Sequence, residues 1–168
     1  IGLSGYSTDE MFNSIDEVIC EDYLGKTNCG LRTQLKKKKY SFCVILAGTN
    51  DICDMEYFTN DIFKIHKVAH DMDCKTIALT IPPVKMESAE PDITKIRKKI
   101  NEDIMNGPKN IPEGLYHGID ISALLPMHDI SNEVKNIMWQ QDGLHLTPEG
   151  YDIISVILAS FFNKILIK

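Results

Sequence analysis

Cysteine is sparse and unpaired in this 168-residue chain: Cys20, Cys29, Cys43, Cys53 and Cys74 form an odd set with no C-x-x-C spacing. That scatter argues against a disulfide framework and a zinc-ribbon site, and it fits a reducing compartment. Positive charge is not in excess either. Lysine and arginine total 18 against 24 acids, net −6, so bulk electrostatics do not favour nucleic acid. Long hydrophobic runs are missing: the final apolar stretch is broken by Asn163 and Lys164, which fits a docked core helix and no stable membrane insertion. No basic segment followed by an apolar run stands at the start, so no signal peptide is visible and a cytoplasmic location is the expectation. The first residue is Ile1 rather than Met, and the reading is of a processed, truncated or partially recorded chain.

What is present is ordinary globular material. Hydrophobic residues make up 43% and charged residues 25%, enough to build one core without staples. No repeat or linker divides residues 1–168, so a single domain is expected. Thr8 followed by Asp9 and Glu10 reads as a helix start, with Met11, Phe12, Ile15, Val18 and Ile19 at helical spacing to about Leu24. Gly25 to Gly30 is a break, and a short helix is expected around Leu31 to Leu35. The continuous apolar run Ser41 to Ala47 has strand length and suits a buried parallel strand, in which Cys43 is a small hydrophobe. A helix is expected from Phe58 to Met72 and a strand over Thr76 to Ile81, cut by Pro82-Pro83. Asp92 is expected to cap a helix carrying Ile93, Ile96, Ile100 and Ile104, stopped by Gly107-Pro108. A third strand falls near Leu115 to Ile121, and an irregular stretch then leads to Asp142. Thr147 as N-cap and Pro148 at the first helical position open the last helix, with a stripe of Ile154, Ile157, Leu158, Phe161 and Ile165. Strands alternating with helices argue for an α/β domain with a parallel sheet.

Two segments carry chemistry. Asp142-Gly143-Leu144-His145 places a carboxylate and an imidazole three residues apart, just before a rigid helix start. One loop can thus present a general base together with the group that orients it. Gly48-Thr49-Asn50-Asp51 ends an apolar strand, where ligands bind in open parallel sheets. The Asn50 amide can serve a developing oxyanion. Each segment alone also reads as an ordinary turn, since Asp-Gly and Gly/Asn sequences are turn formers.

Taken together with Ile1-Gly2-Leu3-Ser4-Gly5-Tyr6-Ser7-Thr8, these segments resemble the second, third and fifth sequence blocks of the SGNH (GDSL-type) hydrolases. Order and spacing suit that family across essentially the whole chain. The resemblance implies a three-layer α/β/α, flavodoxin-like fold and a serine esterase acting through an acyl-enzyme on a carboxylic ester, acetyl or short acyl. His145 would be the base and Asp142 its orienting carboxylate. The Asn50 side chain and the Gly5 backbone N–H would form the oxyanion hole. The implied partner is a small-molecule ester, with no cofactor and no metal; oligomeric state stays open.

One departure outweighs the matches. The family's nucleophile sits in a Gly-Asp-Ser turn of the first block, and no Gly-Asp-Ser occurs in this chain. The resemblance therefore implies that the N-terminal strands are missing and that this chain alone is inactive. It also implies that the strand over Phe42 to Ala47 lies at a sheet edge, an aggregation hazard when uncovered. Ser4 is the nearest substitute nucleophile, but Gly2-Leu3-Ser4-Gly5 falls short of G-x-S-x-G because Tyr6 stands at the last position. A non-catalytic binding or structural module of the same fold is the alternative. His66 and His70 share a helix face, as a metal pair lacking a third ligand or as flank histidines beside the apolar stripe. Lys36 to Lys39 reads as a localisation or anion-binding patch or, more in keeping with such runs, as a solvated stretch near a helix C-terminus. Trp139 reads as core or as a wall of the acyl pocket, and Cys53 has no basic neighbour in sequence to activate it.

Overall fold

A computed structural model describes residues 1–54, 59–109 and 111–166. Its centre is a three-stranded parallel sheet of β3 (Phe42–Ile45), β4 (Lys75–Leu79) and β5 (Tyr116–Ile119), in that spatial order. Four helices precede or connect these strands: α1 (Thr8–Asn13), α2 (Leu31–Lys37), α3 (Thr59–His70) and α4 (Pro91–Asn106). α5 (Asn132–Met138) and α6 (Pro148–Leu166) follow β5. A small antiparallel hairpin, β1 (Cys20–Glu21) and β2 (Thr27–Asn28), stands apart from the main sheet. Among the described residues, no helix is long and apolar enough to cross a membrane.

The pleat of β4 divides the core. Ala78 points to Ile62 of α3 and to Ile93, Ile100 and Ile104 of α4. Ile77 and Leu79 point the other way, to Met138, Trp139, Leu146 and Ile154. β4 is buried on both faces because it is the central strand, and its helices make the three layers. β3 is different. It lies at the sheet edge, and Val44 and Leu46 are 39% and 40% exposed while Ile45 and Ala47 pack under α3. An edge of this kind leaves one row of backbone groups without a strand partner.

The elements around β3, β4 and β5 follow the expected order, with four corrections. The first helix does not run to Leu24: it ends at Asn13, and Ser7, not Thr8, is its N-cap, in a reciprocal capping box with Glu10. Val18 and Ile19 are exposed, and the following residues turn through Asp22, whose carboxylate accepts the Leu24 and Lys26 N–H groups. That side-chain turn competes with the helix and wins. Asp92 lies inside the first turn of α4, with Glu90 at the cap position and Pro91 at the first helical position. The stretch before Asp142 is not irregular throughout, since Ser131 caps α5 through the Val134 N–H. Gly107, φ +71, ends α4 as expected. Thr147 accepts the Gly150 N–H at 3.1 Å, which caps α6 in the expected way. The expected start at Phe58 falls outside the described residues, as does the side chain of Cys53.

Candidate active site

Two pieces of the site are built at the carboxyl end of the parallel sheet, where loops leave β3 and β4. The first joins the N-terminal loop to the loop after β3. Gly48, φ +104, turns the chain out of the strand. Asn50 then donates its side-chain amide to the Tyr6 carbonyl at 2.9 Å. Next to it, the buried Asp51 carboxylate accepts from the Thr8 N–H at 2.9 and 3.1 Å and from the Thr8 hydroxyl at 2.7 Å. Thr8 is itself fully buried. These links span more than forty residues of sequence, and they hold Gly5 and Asn50 on neighbouring loops. An amide nitrogen carries two N–H groups. The Tyr6 carbonyl engages one and sets the plane of the amide. Gly5 has φ +82, and the Tyr23 ring fills the space a side chain would need there.

The second piece is the Asp142–His145 loop. Asp142 Oδ1 accepts from the Leu144 N–H at 2.9 Å and the His145 N–H at 3.0 Å, while Oδ2 lies 2.8 Å from His145 Nδ1. An ionised carboxylate only accepts, so Nδ1 carries a proton, and in the neutral imidazole Nε2 then keeps its lone pair. The His145 ring bond, followed by the two backbone N–H bonds, holds the Asp142 carboxyl down to about 2. Among the described residues nothing hydrogen-bonds to Nε2, and no serine hydroxyl reaches it. Both side chains are about half exposed.

The loop has a firm base. Gln140 N–H donates to the His145 carbonyl at 2.9 Å, Trp139 bridges Leu146, and the Thr147 N–H donates to the Met138 carbonyl at 3.0 Å. Trp139 is buried in the core and donates its indole N–H to the Pro126 carbonyl at 3.0 Å. That is ordinary packing under the loop, and it takes up the tryptophan's polar handle.

The structure thus brings Asp142 to His145, and Asn50 to Tyr6, the residue after Gly5. Among the described residues, no hydrogen bond or ion pair joins the two pieces. Ser4 donates its backbone N–H to Asp22 at 3.2 Å and belongs to the hairpin side of the N-terminal loop. Two surface grooves, one on α6 around Val156 and Ser160, the other beside the hairpin around Val18 and Cys29, include no residue of the Asp142–His145 loop. His66 and His70 have ring centroids 6.4 Å apart, with His66 wholly buried against Tyr116. No cluster of three metal-ligating side chains occurs among the described residues. Lys36 and Lys37 end α2, as expected of a solvated run.

Sequence reasoning missed Thr8 and Asp51 as the pair that ties the two loops. The pattern held a trace of it, since Asp51 directly follows Asn50 and Thr8 closes the N-terminal motif. It also missed Lys85, whose N–H donates to the Gly143 carbonyl at 2.9 Å. Nothing local in sequence marks that contact.

Comparison with solved structures agrees with the fold. A GDSL-like lipase from Bacteroides thetaiotaomicron superposes with a TM-score of 0.62 at 20% identity, covering 98% of this chain and 74% of that one. A proposed acylhydrolase from Bacteroides fragilis gives 0.66 at 17% identity, covering 99% and 74%. A serine-to-alanine mutant of an acetyl esterase, with acetate ion, gives 0.58 at 14% identity, covering 96% and 70%. No protein-family model matches the sequence, and no curated protein matches it significantly. The chain has an SGNH/GDSL hydrolase-like fold.

Proposed function

We propose that this chain supplies most of the active site of a carboxylic-ester hydrolase, and that the nucleophilic serine lies outside these 168 residues. The observation that carries the reading is the 2.8 Å contact between Asp142 Oδ2 and His145 Nδ1, on a loop at the carboxyl end of the sheet. It leaves Nε2 as the free base. In the proposed reaction Nε2 removes the proton from a serine hydroxyl as the oxygen attacks the ester carbonyl. The imidazolium, stabilised by Asp142, then returns that proton to the leaving alcohol. Water repeats the sequence on the acyl-enzyme and releases the acid. The second N–H of Asn50 and the backbone N–H of Gly5 serve the oxyanion. Acetyl or another short acyl group is the proposed substrate class, and the acylhydrolase and acetyl esterase among the similar structures support that choice.

The test has two arms, both with p-nitrophenyl acetate. The 168-residue chain should hydrolyse it at no more than the background rate. Robust turnover that is lost in His145→Ala but kept in Ser4→Ala would overturn the missing-nucleophile part of the reading. The second arm reads the coding frame before Ile1. A Gly-Asp-Ser after a Val/Ile-rich strand, in a longer chain that hydrolyses the ester and loses activity in His145→Ala, supports the enzyme. That no serine hydroxyl among the described residues reaches Nε2 favours a second reading, a binding module of the same fold; a native start at this position, with no activity, would support it.

A further inference from the structure

The Asp142–His145 loop rests on another loop, and that second loop is clamped. At Gly143, φ +66, the backbone comes so close to Lys85 that an added Cβ would stand 2.5 Å from the Lys85 Cβ. The Lys85 N–H donates to the Gly143 carbonyl at 2.9 Å. Lys85 opens the short turn Lys85–Ser88, after β4. From the far side, α4 grips this turn. The Glu87 carboxylate, 1% exposed, accepts from the Val84 N–H at 2.8 Å, the Thr94 hydroxyl at 2.9 Å, and Arg97 Nε and Nη2 at 2.7 and 2.8 Å. Arg97 Nη1 also lies 3.5 Å from the Ile81 carbonyl, and Asn101 both accepts the Ile81 N–H at 2.7 Å and donates to its carbonyl at 2.9 Å.

Burial alone would raise the Glu87 carboxyl; the Arg97 fork, with the Val84 N–H and the Thr94 hydroxyl, outweighs it and holds the group below its usual value. A buried ion pair is a poor way to add stability, because well-packed apolar residues do as well. What the fork adds is direction: two parallel bonds fix the carboxylate, and the carboxylate fixes the Val84 N–H, one residue before Lys85. We propose that Glu87 and Arg97 are positioning residues for the Asp142–His145 pair, transmitting the rigidity of α4 through the Lys85–Gly143 contact. This rests on the reading of that pair as catalytic orienter and base.

The test reads the Asp142 carboxyl titration by carbon NMR and the hydrogen exchange of the Lys85 amide, in the 168-residue chain. The variants are Arg97→Lys and the apolar double Glu87→Met/Arg97→Met. In the folded double variant the Asp142 midpoint is expected to rise by about half a unit or more, toward an ordinary carboxylate. Lys85 exchange should quicken by about tenfold. Arg97→Lys, which keeps the charge and loses the fork, should move both in the same direction by less. Unchanged values in the folded double variant, whatever its melting temperature, would overturn the proposal. Should the double variant fail to fold, Arg97→Lys decides: movement of both readouts supports the proposal and no movement overturns it. Neither readout needs turnover. Absence of esterase activity in a longer chain that carries the Gly-Asp-Ser would count against the functional reading, and a static Asp142 titration against the positioning role.

Discussion

His66 should make this protein acid-labile well above the range in which its carboxylates titrate. The ring is wholly buried on α3, its centroid is 4.9 Å from the Tyr116 ring, and among the described residues neither nitrogen has a hydrogen-bond partner. The other polar groups around it are spoken for: His70 Nε2 lies 2.8 Å from the Thr76 hydroxyl, and the Tyr116 hydroxyl donates to the Ile104 carbonyl at 2.6 Å. Burial, with a smaller contribution from His70, pushes the His66 imidazole down from 6.5 to about 3. The unfolded chain therefore takes up a proton near pH 6.5 that the folded chain refuses. Stability is full above that value and falls as pH drops below it. Linkage puts the loss at about 2 kcal/mol at pH 5 and about 3 kcal/mol at pH 4. His66→Phe replaces ring with ring and removes both unpaired nitrogens, which are costly to bury. The assay is urea unfolding of both proteins at steps between pH 7.5 and pH 5, with equal m-values as the control. The difference between the two curves cancels every contribution common to both proteins. It should widen by about 2 kcal/mol in favour of the variant as pH falls to 5. Parallel curves over that range would refute the reasoning, because they would mean that His66 is charged or exposed in the folded state.

Three further outcomes follow from the site. Asp142→Asn should keep the backbone N–H bonds from Leu144 and His145 but let the imidazole take the wrong tautomer, lowering kcat of an active form by about 10³ to 10⁴ with little change in KM. Gly143→Ala forces a side chain into a positive-φ residue against Lys85; the backbone term costs about 1–2 kcal/mol by thermal unfolding, and esterase activity should fall with it. Asn50→Ala removes the proposed oxyanion donor and the bond to Tyr6 together, so kcat of an active form should drop about 10²- to 10³-fold, and a kcat within twofold of the unsubstituted form would remove Asn50 from the mechanism.

Legibility in the sequence tracked how local each cause is. The stripe of Ile93, Ile100 and Ile104, the Gly107 stop and the Thr147-Pro148 start are properties of a few adjacent residues, and the structure has them. The Asp142–His145 contact is local too, since a three-residue spacing closes it without help from the fold. The failures lie where a side chain competes with periodicity. Met11, Phe12, Ile15, Val18 and Ile19 have helical spacing, yet Asp22 draws two N–H groups into a turn and leaves Val18 and Ile19 in solvent. α5 went unseen because seven residues with Val134 and Ile137 exposed show no buried stripe to read.

The contacts that assemble the site are of another kind again. Thr8 meets Asp51 and Tyr6 meets Asn50 across more than forty positions, and Lys85 meets Gly143 across a larger gap. In the last two, a main-chain carbonyl accepts, and any residue can offer one. The third also depends on a glycine, whose use in sequence looks the same whether it serves a turn or a close approach. At Gly143 it serves both: φ +66 makes the turn that lets Asp142 collect two N–H groups, and the missing Cβ admits Lys85. The glycine between Asp142 and His145 is therefore the point at which the loop's own geometry and its seat on the Lys85 turn are set together. The two demands can be separated by experiment. D-Alanine at 143, introduced by chemical ligation, accepts positive φ and points its Cβ away from the L-Cβ position. It should restore the Asp142 titration that L-alanine disturbs, if the clash with Lys85 and the strained φ are what matter. Equal disturbance by both would mean that the site needs the bare backbone itself.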